Sequence, residues 1–489
     1  MLDLFSRLRQ TAEKHADKTA IIYRDFEVSY ADLFAAADSL AAGFSRGKSS
    51  GRRKVGLVAS RDAEFVVALL GLMQAGVTAV PLSPALRGAE LAKLADQLAL
   101  DEVFLANQFS GLFPRGTADR EIEFPTVGGR SSVWIRHALQ VNSEDSRRTE
   151  LSKRGVSTIR WSSGTTGRAK GIMLSDDAVW ARVKAHCEMH DLRQKDCILF
   201  LVSFDAALPA LVAYLCVGAS VVLEEAQNIE WITATSGNHG VTLVHATPFF
   251  YQMLLTHADA GKQTFPAIRY YISTGAPLAS ALSESFRNRF GREISQYYGI
   301  GECGPVFFNV SNDLPKRGSA GVLVSGCQAK LSGAGEPVDS DFGELWVRGP
   351  GLFEGYYEPW RPSEEILLEG WFCTGDLARL DSDGYYWMVG RTKDIINVAG
   401  TKIFPLEIED ILLSHPDVEE ALVYAQSDAR FGEVPHAKVK RRAGSSISER
   451  DLLRFVNDRL AILKALRKVE FVGELPRTSS GKIKRSERN

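Results

Sequence analysis

The sequence predicts a layered α/β protein in which a large N-terminal domain of several subdomains is followed by a small C-terminal α+β domain. Three observations carry that expectation. Through most of the chain, short apolar strand-like runs alternate with amphipathic helical patterns, the order in which helices cover the faces of a largely parallel sheet. A length of 489 residues exceeds what one compact core accommodates. After about Gly390 the rhythm changes to a smaller α+β pattern, so domains of 1–391 and 392–489 are expected, with a lysine-bearing joint between them.

The elements follow in order. Ser29 opens a stretch with Asp32 in its first turn and Leu33, Ala36, Leu40 and Phe44 at helical spacing, which predicts a capped helix with one buried face. A strand over Val55–Ala59, a helix over Phe65–Ala75 ending at Gly76 and a strand over Val77–Leu82 make a β-α-β unit. Residues 107–150 are rich in Gly, Pro, Arg and Ser and lose periodicity, so surface loops with at most one short strand are expected. The alternation resumes at Val156. Ala206–Leu223 carries no charge and approaches the length of a membrane span, but Pro209, Gly218 and Ser220 interrupt it. A buried helix running into a short parallel strand is expected instead, because β-branched Val221 and Val222 follow that punctuation.

Bulk properties exclude several classes of partner. Lys plus Arg number 58 against 60 for Asp plus Glu, and a net charge of −2 gives no general electrostatic reason to bind nucleic acid or an anionic membrane. Six cysteines show no C-x-x-C pair and no histidine at metal-ligand spacing, which fits free thiols in the cytoplasm. Residues 1–18 return to charge too quickly to hold a signal-peptide core, so a cytoplasmic start is expected.

The chemistry is concentrated in Ser162, Ser163, Gly164, Thr165, Thr166, Gly167, Arg168, Ala169, Lys170 and Gly171, which follow a strand-like Val156–Trp161. Glycines let backbone N–H groups turn toward a phosphate, the hydroxyls add donors, and Lys170 adds positive charge. Neither the Walker A pattern nor the Rossmann fingerprint is present. On composition alone, a flexible Ser/Gly surface loop is the competing reading.

Further motifs appear downstream: Gly275-Ala276-Pro277-Leu278, Tyr298-Gly299-Ile300-Gly301-Glu302, Gly343-Glu344-Leu345, Thr374-Gly375-Asp376, Gly390-Arg391-Thr392-Lys393-Asp394 and Pro476-Arg477-Thr478-Ser479-Ser480-Gly481-Lys482. In this order they resemble the acyl-adenylate-forming superfamily, which comprises acyl- and aryl-CoA ligases, peptide-synthetase adenylation domains and luciferases. The resemblance covers residues 20–489. Each motif alone is weak, whereas the ordered set is specific.

The resemblance implies an ATP-dependent enzyme that makes an acyl-adenylate and then a thioester, with Mg²⁺ and with CoA or a phosphopantetheinyl carrier protein as acceptor. By the same resemblance, Asp376 accepts the ribose hydroxyls and Arg391 helps to hold ribose or phosphate. Glu302 holds Mg²⁺ against the phosphates, a task suited to a hard oxygen ligand. Gly275, Ala276, Pro277, Tyr298 and Gly299 form the adenine-facing wall. Lys482 is catalytic in the first half-reaction, Lys393 is the hinge and Gly400 lines the thiol tunnel. The chain departs from the family pattern at Ala169, Gly301 and Ser175, where proline, threonine and histidine are usual.

Substrate side chains are expected from Phe204, Asp205, His245, Phe249, Thr274, Val306 and Phe308, whose mainly apolar character suits a medium-sized apolar or aromatic acid. Asp205 has two readings: counter-ion to a substrate ammonium, or N-cap of the helical run Leu208–Leu215. The stretch 390–410 looks more like CoA ligases than peptide-synthetase domains. A stand-alone CoA ligase is therefore the leading expectation, with an amino-acid adenylating enzyme that loads a carrier protein as the alternative. A catalytically lost nucleotide-binding regulator and an oxygen-dependent luciferase are remoter readings.

Overall fold

The structure is a computed structural model that describes residues 4–24, 26–44, 51–113, 119–127, 130–139, 146–162, 170–310, 316–332, 341–477 and 483. The architecture is mixed α/β, with a large N-terminal domain and a small C-terminal one. Two nine-stranded sheets and a four-stranded antiparallel sheet build the N-terminal domain, and a five-stranded sheet builds the C-terminal one.

At the centre of the first sheet, Thr19–Tyr23, Ser220–Leu223, Cys197–Phe200, Leu243–Ala246, Tyr270–Ser273 and Ile294–Ile300 lie parallel, with Gly304–Asn309 returning antiparallel beside the last. Several of these strands are buried throughout, so they read as continuous apolar runs rather than alternating ones. In the second sheet, Lys54–Val58 and Thr78–Pro81 are adjacent parallel strands joined by the helix Ala63–Gln74, which is the expected β-α-β unit. The early helix starts after Ser29, whose side chain accepts the Asp32 N–H at 3.0 Å.

Ala206–Leu223 forms the end of a buried helix Phe204–Cys216 and the parallel strand Ser220–Leu223. Among the described residues no helix is long and apolar enough to cross a membrane. Two helical segments meet here across a kink at Ala207, with φ −123° and ψ 24°; Ser203 precedes the first, and Asp205 lies in that first segment, ahead of the run Leu208–Leu215. The side chain of Asp205 lies outside the described residues.

Residues 107–150 depart from expectation. They hold two long strands, Arg120–Val127 and Arg130–Ala138, paired as a hairpin whose second strand joins Glu102–Ala106. The reason is burial on both faces. Neighbouring Trp134 and Ile135 are both buried, and Trp134 Nε1 donates to Glu64 Oε2 at 2.8 Å, so no period-two pattern marks the strand.

The last strand of the four-stranded sheet ends at Arg391, and the first strand of the C-terminal sheet is Ile396–Val398. Between them Thr392–Asp394 forms one short 3-10 turn. The C-terminal sheet packs helices Pro405–Leu413 and Glu449–Asn457 over its own buried core.

Candidate active site

Three sheets deliver side chains to one region beside the carboxyl ends of the parallel strands, where open α/β sheets form their crevice. Asp376 and Arg391 sit opposite each other on the antiparallel strands Phe372–Leu380 and Tyr386–Arg391. Arg391 Nε donates to Asp376 Oδ1 at 2.7 Å, and Tyr298 donates its hydroxyl to Oδ2 at 2.5 Å. The Asp376 N–H is taken by Thr374 Oγ1 at 3.0 Å, which itself donates to the Leu345 carbonyl at 2.8 Å. Asp376 is 5% exposed, and burial raises its carboxyl above the ordinary value although Arg391 and Tyr298 oppose the shift. Gly375, with φ +73° and open space around its Cα, makes the left-handed turn that presents this carboxylate.

Glu302 lies on the turn after Ile294–Ile300, and its carbonyl accepts the Phe353 N–H at 2.8 Å. Tyr356 donates to Glu302 Oε1 at 2.8 Å, and Lys170 Nζ lies 4.6 Å from the centre of the Tyr356 ring. Sheet register creates the trio: Tyr356 pairs with Ile172 on the strand Lys170–Ser175. Burial and the Glu302 charge both raise the Tyr356 hydroxyl, which keeps it a donor. Glu302 is also one of the charges acting on Asp376, so the two carboxylates share a neighbourhood.

Arg182 locks this turn from beneath. It is 1% exposed, and it donates from Nη1 to the Gly301 carbonyl at 3.0 Å and from Nε to the Gly351 carbonyl at 2.9 Å. Burial pushes the guanidinium down to about 9. Gly304 makes the packing possible, because a Cβ there would stand 2.7 Å from Arg182 Cγ. Two family departures gain a local account. Gly301 gives its carbonyl to Arg182, and a Cβ on it would meet Ile172 Cδ1 at 2.5 Å. Ser175 caps the helix Asp176–Met189, accepting the Ala178 N–H at 3.2 Å.

The remaining candidates are placed as follows. Gly275, Ala276 and Pro277 form an exposed loop after Tyr270–Ser273, and Gly299 runs so close to the Gly304 carbonyl that a Cβ would stand 2.8 Å from it. Phe204, His245, Val306 and Phe308 are buried, with Phe204 stacked on Phe65 at 4.4 Å. Thr274 lies close enough to the Tyr297 hydroxyl to oppose the rise that burial gives it. Phe249 is set apart, 41% exposed, beneath the Arg477 guanidinium of the C-terminal domain at 5.2 Å. Lys393 is exposed, and Gly400 with Ala399 makes the two-residue turn of the hairpin Ile396–Val398/Thr401–Ile403. Ser162 ends the strand Val156–Ser162, but its side chain and the whole of Ser163, Gly164, Thr165, Thr166, Gly167 and Lys482 lie outside the described residues.

Tyr356, Arg182, Tyr297, His186 and His190 were not marked by sequence reasoning. His186 and His190, four residues apart at the end of an apolar-faced helix, carry a signal that spacing exposes. Tyr356 and Arg182 carry none, since their partners are distant in sequence.

Fold and site together define a two-domain nucleotide-dependent ligase. The profile of the AMP-binding enzyme family matches residues 8–357, and that of the AMP-binding enzyme C-terminal domain matches 407–482. The chain belongs to the AMP-binding enzyme family. A feruloyl-CoA synthase from Amycolatopsis sp is 29% identical over 476 residues, spanning 96% of this chain and 95% of that protein. The 2-succinylbenzoate--CoA ligase of Bacillus cereus (strain AH820) is also 29% identical, over 98% of this chain and 97% of its own. Among solved structures, O-succinylbenzoate coenzyme A synthetase from Bacillus subtilis, in complex with ATP and a magnesium ion, superposes with a TM-score of 0.78 at 26% identity, covering 98% of each chain. In class the chain is an AMP-forming acid–thiol ligase.

Proposed function

We propose that the chain activates a medium-sized apolar or aromatic carboxylic acid with ATP and passes the acyl group to coenzyme A. The observation that carries this reading is the buried Asp376 carboxylate, fixed by Tyr298 and Arg391 in the same neighbourhood as Glu302, Tyr356 and Lys170. A carboxylate with two oxygens suits the two hydroxyls of a ribose. The exposed Gly275–Pro277 loop and Tyr298 offer the wall for the base, and Lys170 with the Ser162–Gly167 loop meets the phosphates.

Among the described residues no cluster of three or more His, Cys, Asp or Glu is placed to hold a metal ion. That fits Mg²⁺, which is commonly held by one or two carboxylates, substrate phosphates and water. Glu302, with Tyr356 fixing one of its oxygens, would hold the ion, which supplies charge neutralisation to the phosphates.

In the first step the substrate carboxylate attacks the α-phosphorus and pyrophosphate leaves. Lys482 meets the charge that grows on the transferring phosphoryl oxygens. In the second, the thiol attacks the acyl carbonyl and AMP leaves. The lysine that closes over ATP must make way for the thiol, so the domain 392–489 turns on Lys393 against the domain 1–391, bringing Gly400 to the thiol path. The contact of Arg477 with Phe249 suits the closed arrangement of the first step, since Arg477 precedes Lys482 by only a few residues. With ATP and CoA as reactants and six free cysteines, the setting is the cytoplasm.

The test is exchange of labelled pyrophosphate into ATP across aryl, fatty and amino acids, followed by mass analysis of the thioester. Acid-dependent exchange and an acyl-CoA product are expected. Exchange with no acid would sink the ligase reading; a product formed only on a carrier protein would transfer it to the alternative acceptor.

A further inference from the structure

Arg477 lies at the seam between the two domains and is held from both sides. Within the C-terminal domain, Nη2 pairs with Glu420 Oε1 on the strand Val418–Asp428. Across the seam, the guanidinium carbon lies 5.2 Å from the centre of the Phe249 ring, near the start of the helix Pro248–Thr256 in the N-terminal domain. Arg477 and Ile483 also face each other as an antiparallel bridge, so residues 478–482, Lys482 among them, begin and end side by side. Whatever seats Arg477 therefore seats the base of the stretch that carries Lys482.

The two contacts on Arg477 use different surfaces of one planar group. A guanidinium offers its edge to a carboxylate and its face to an aromatic ring, and the ring quadrupole attracts the cation. The Glu420 side chain is 15% exposed and that of Arg477 32%, so the ion pair is partly shielded from water and keeps the guanidinium in one place. Phe249 presents its ring to that place. The next two residues, Phe250 and Tyr251, are buried in the core of the N-terminal domain, whereas Phe249 points out of it and is 41% exposed.

We propose that Phe249 and Glu420 are positioning residues for the first half-reaction: together they seat Arg477, and through it the base of the Lys482 stretch, against the N-terminal domain while the adenylate forms. Both act through Arg477 rather than on the substrate, which gives Phe249 a task outside the acid pocket. Turning the domain 392–489 parts Phe249 from Arg477, because they belong to different domains, while Glu420 travels with Arg477. The contact with Phe249 thus favours one arrangement of the domains over the other. At an exposed site such a contact shifts an equilibrium about two- to fivefold, enough to bias the arrangement and small enough to part in every turnover. The proposal rests on the acid-ligase reading and on the turn about Lys393.

The test is a single-turnover quench measurement with the acid that exchanges fastest in the wild type, scoring adenylate formation from ATP and acid, then AMP release when CoA is added to the preformed adenylate. In Phe249→Leu, which stays apolar but loses the ring, the adenylate step should slow about two- to fivefold, with the half-saturating acid concentration unchanged and the CoA step not slowed. Phe249→Tyr, which keeps the ring, should restore the wild-type rate. Arg477→Met should slow the adenylate step at least as much as Phe249→Leu, and combining the two should slow it no further, because they remove one contact. Glu420→Gln should slow the same step and spare the other. An unchanged adenylate step in folded Phe249→Leu, additive losses in the double variant, or equal slowing of both steps would overturn the proposal while leaving the ligase reading standing. A raised half-saturating acid concentration at an unchanged maximal rate would return Phe249 to the acid pocket and overturn it too. If Phe249→Leu or Arg477→Met does not fold, the split between steps in Glu420→Gln decides. Exchange with no acid at all would overturn both the proposal and the reading it rests on.

Discussion

Replacing Asp376 by Asn puts the nucleotide site to its sharpest test, because shape is kept while charge is removed. Asp376 accepts from Arg391 Nε at 2.7 Å and from Tyr298 at 2.5 Å, and it is the group proposed to accept both ribose hydroxyls. An amide has one oxygen where the carboxylate has two. At least one charge-assisted bond to the ribose is lost, worth about 1.5–3 kcal/mol. The expected result is a fall of roughly 10- to 150-fold in kcat/KM for ATP, read from exchange as a function of ATP concentration.

Stability should move differently. Burial raises the Asp376 carboxyl, so its contribution to folding is present below the unfolded carboxylate range and is lost as pH rises through its folded value. At pH 8 the wild type therefore holds a buried charge that Asn does not. With Arg391 partly exposed and able to be solvated, the apo variant should melt no lower than the wild type. A variant that is folded, unchanged in melting and within twofold of the wild type in kcat/KM for ATP would refute the assignment of Asp376 to the ribose.

Three further outcomes follow from the same geometry. Tyr356→Phe removes the hydroxyl on Glu302 Oε1, a bond to a charged group worth about 1.5–3 kcal/mol, so the Mg²⁺ concentration for half-maximal exchange should rise severalfold; an unchanged Mg²⁺ curve counts against a metal at Glu302. Arg182→Met leaves the Gly301 and Gly351 carbonyls without their donor but also removes a buried charge, for a net loss of about 2–4 kcal/mol in urea unfolding, together with weaker Mg²⁺ dependence; a stable variant with wild-type Mg²⁺ response would show that the guanidinium does not hold the Glu302 turn. Asp62 caps the helix Ala63–Gln74 by accepting the Phe65 N–H at 3.0 Å, and burial pushes its carboxyl up to about 6. Its contribution is thus present at pH 4 and lost as pH rises through 6; Asp62→Asn, which keeps the cap, should gain about 1–2 kcal/mol over the wild type at pH 8 and nothing at pH 4, and a pH-independent difference would contradict this.

What could be read from the sequence is what the chain writes locally. The turn Thr374-Gly375-Asp376 carries its own geometry: a glycine at positive φ and a hydroxyl that takes the next backbone N–H but one. The Ser29 cap and the β-α-β unit are equally local. Arg391 stands opposite Asp376 because of strand register, which no motif announces, although the motif order brings both into view. Tyr356 and Arg182 were invisible for the same reason. Each acts on a partner more than fifty residues away, Tyr356 on Glu302 and Arg182 on Gly301, and nothing in their immediate sequence distinguishes them from core residues. The hairpin at 120–138 was missed because its inner strand is buried on both faces and so loses the alternation that betrays a strand. Asp205 stands two positions after the N-cap Ser203, in a short helical segment that the kink at Ala207 separates from the run Leu208–Leu215, a break that the apolar spacing does not announce.

The same contrast separates reaction from substrate. The proposed nucleotide side is built on strand ends and turns whose backbone fixes the side chains: Asp376 on an antiparallel pair, Glu302 on a turn held by Arg182 and Phe353, Lys170 at the start of a strand. Such positions tolerate little change, because one residue of slip in register moves the side chain to the other face. The proposed acid side, at His245 and Phe308, is packed with aromatic rings that meet edge-on, contacts made by side chains rather than by the backbone. On that proposal, substitutions at His245 and Phe308 have room to change which acid is accepted while the grip on ATP stays in place. On the same proposal, activation chemistry follows from strand register and turns, and acid choice from side chains that can be exchanged one at a time.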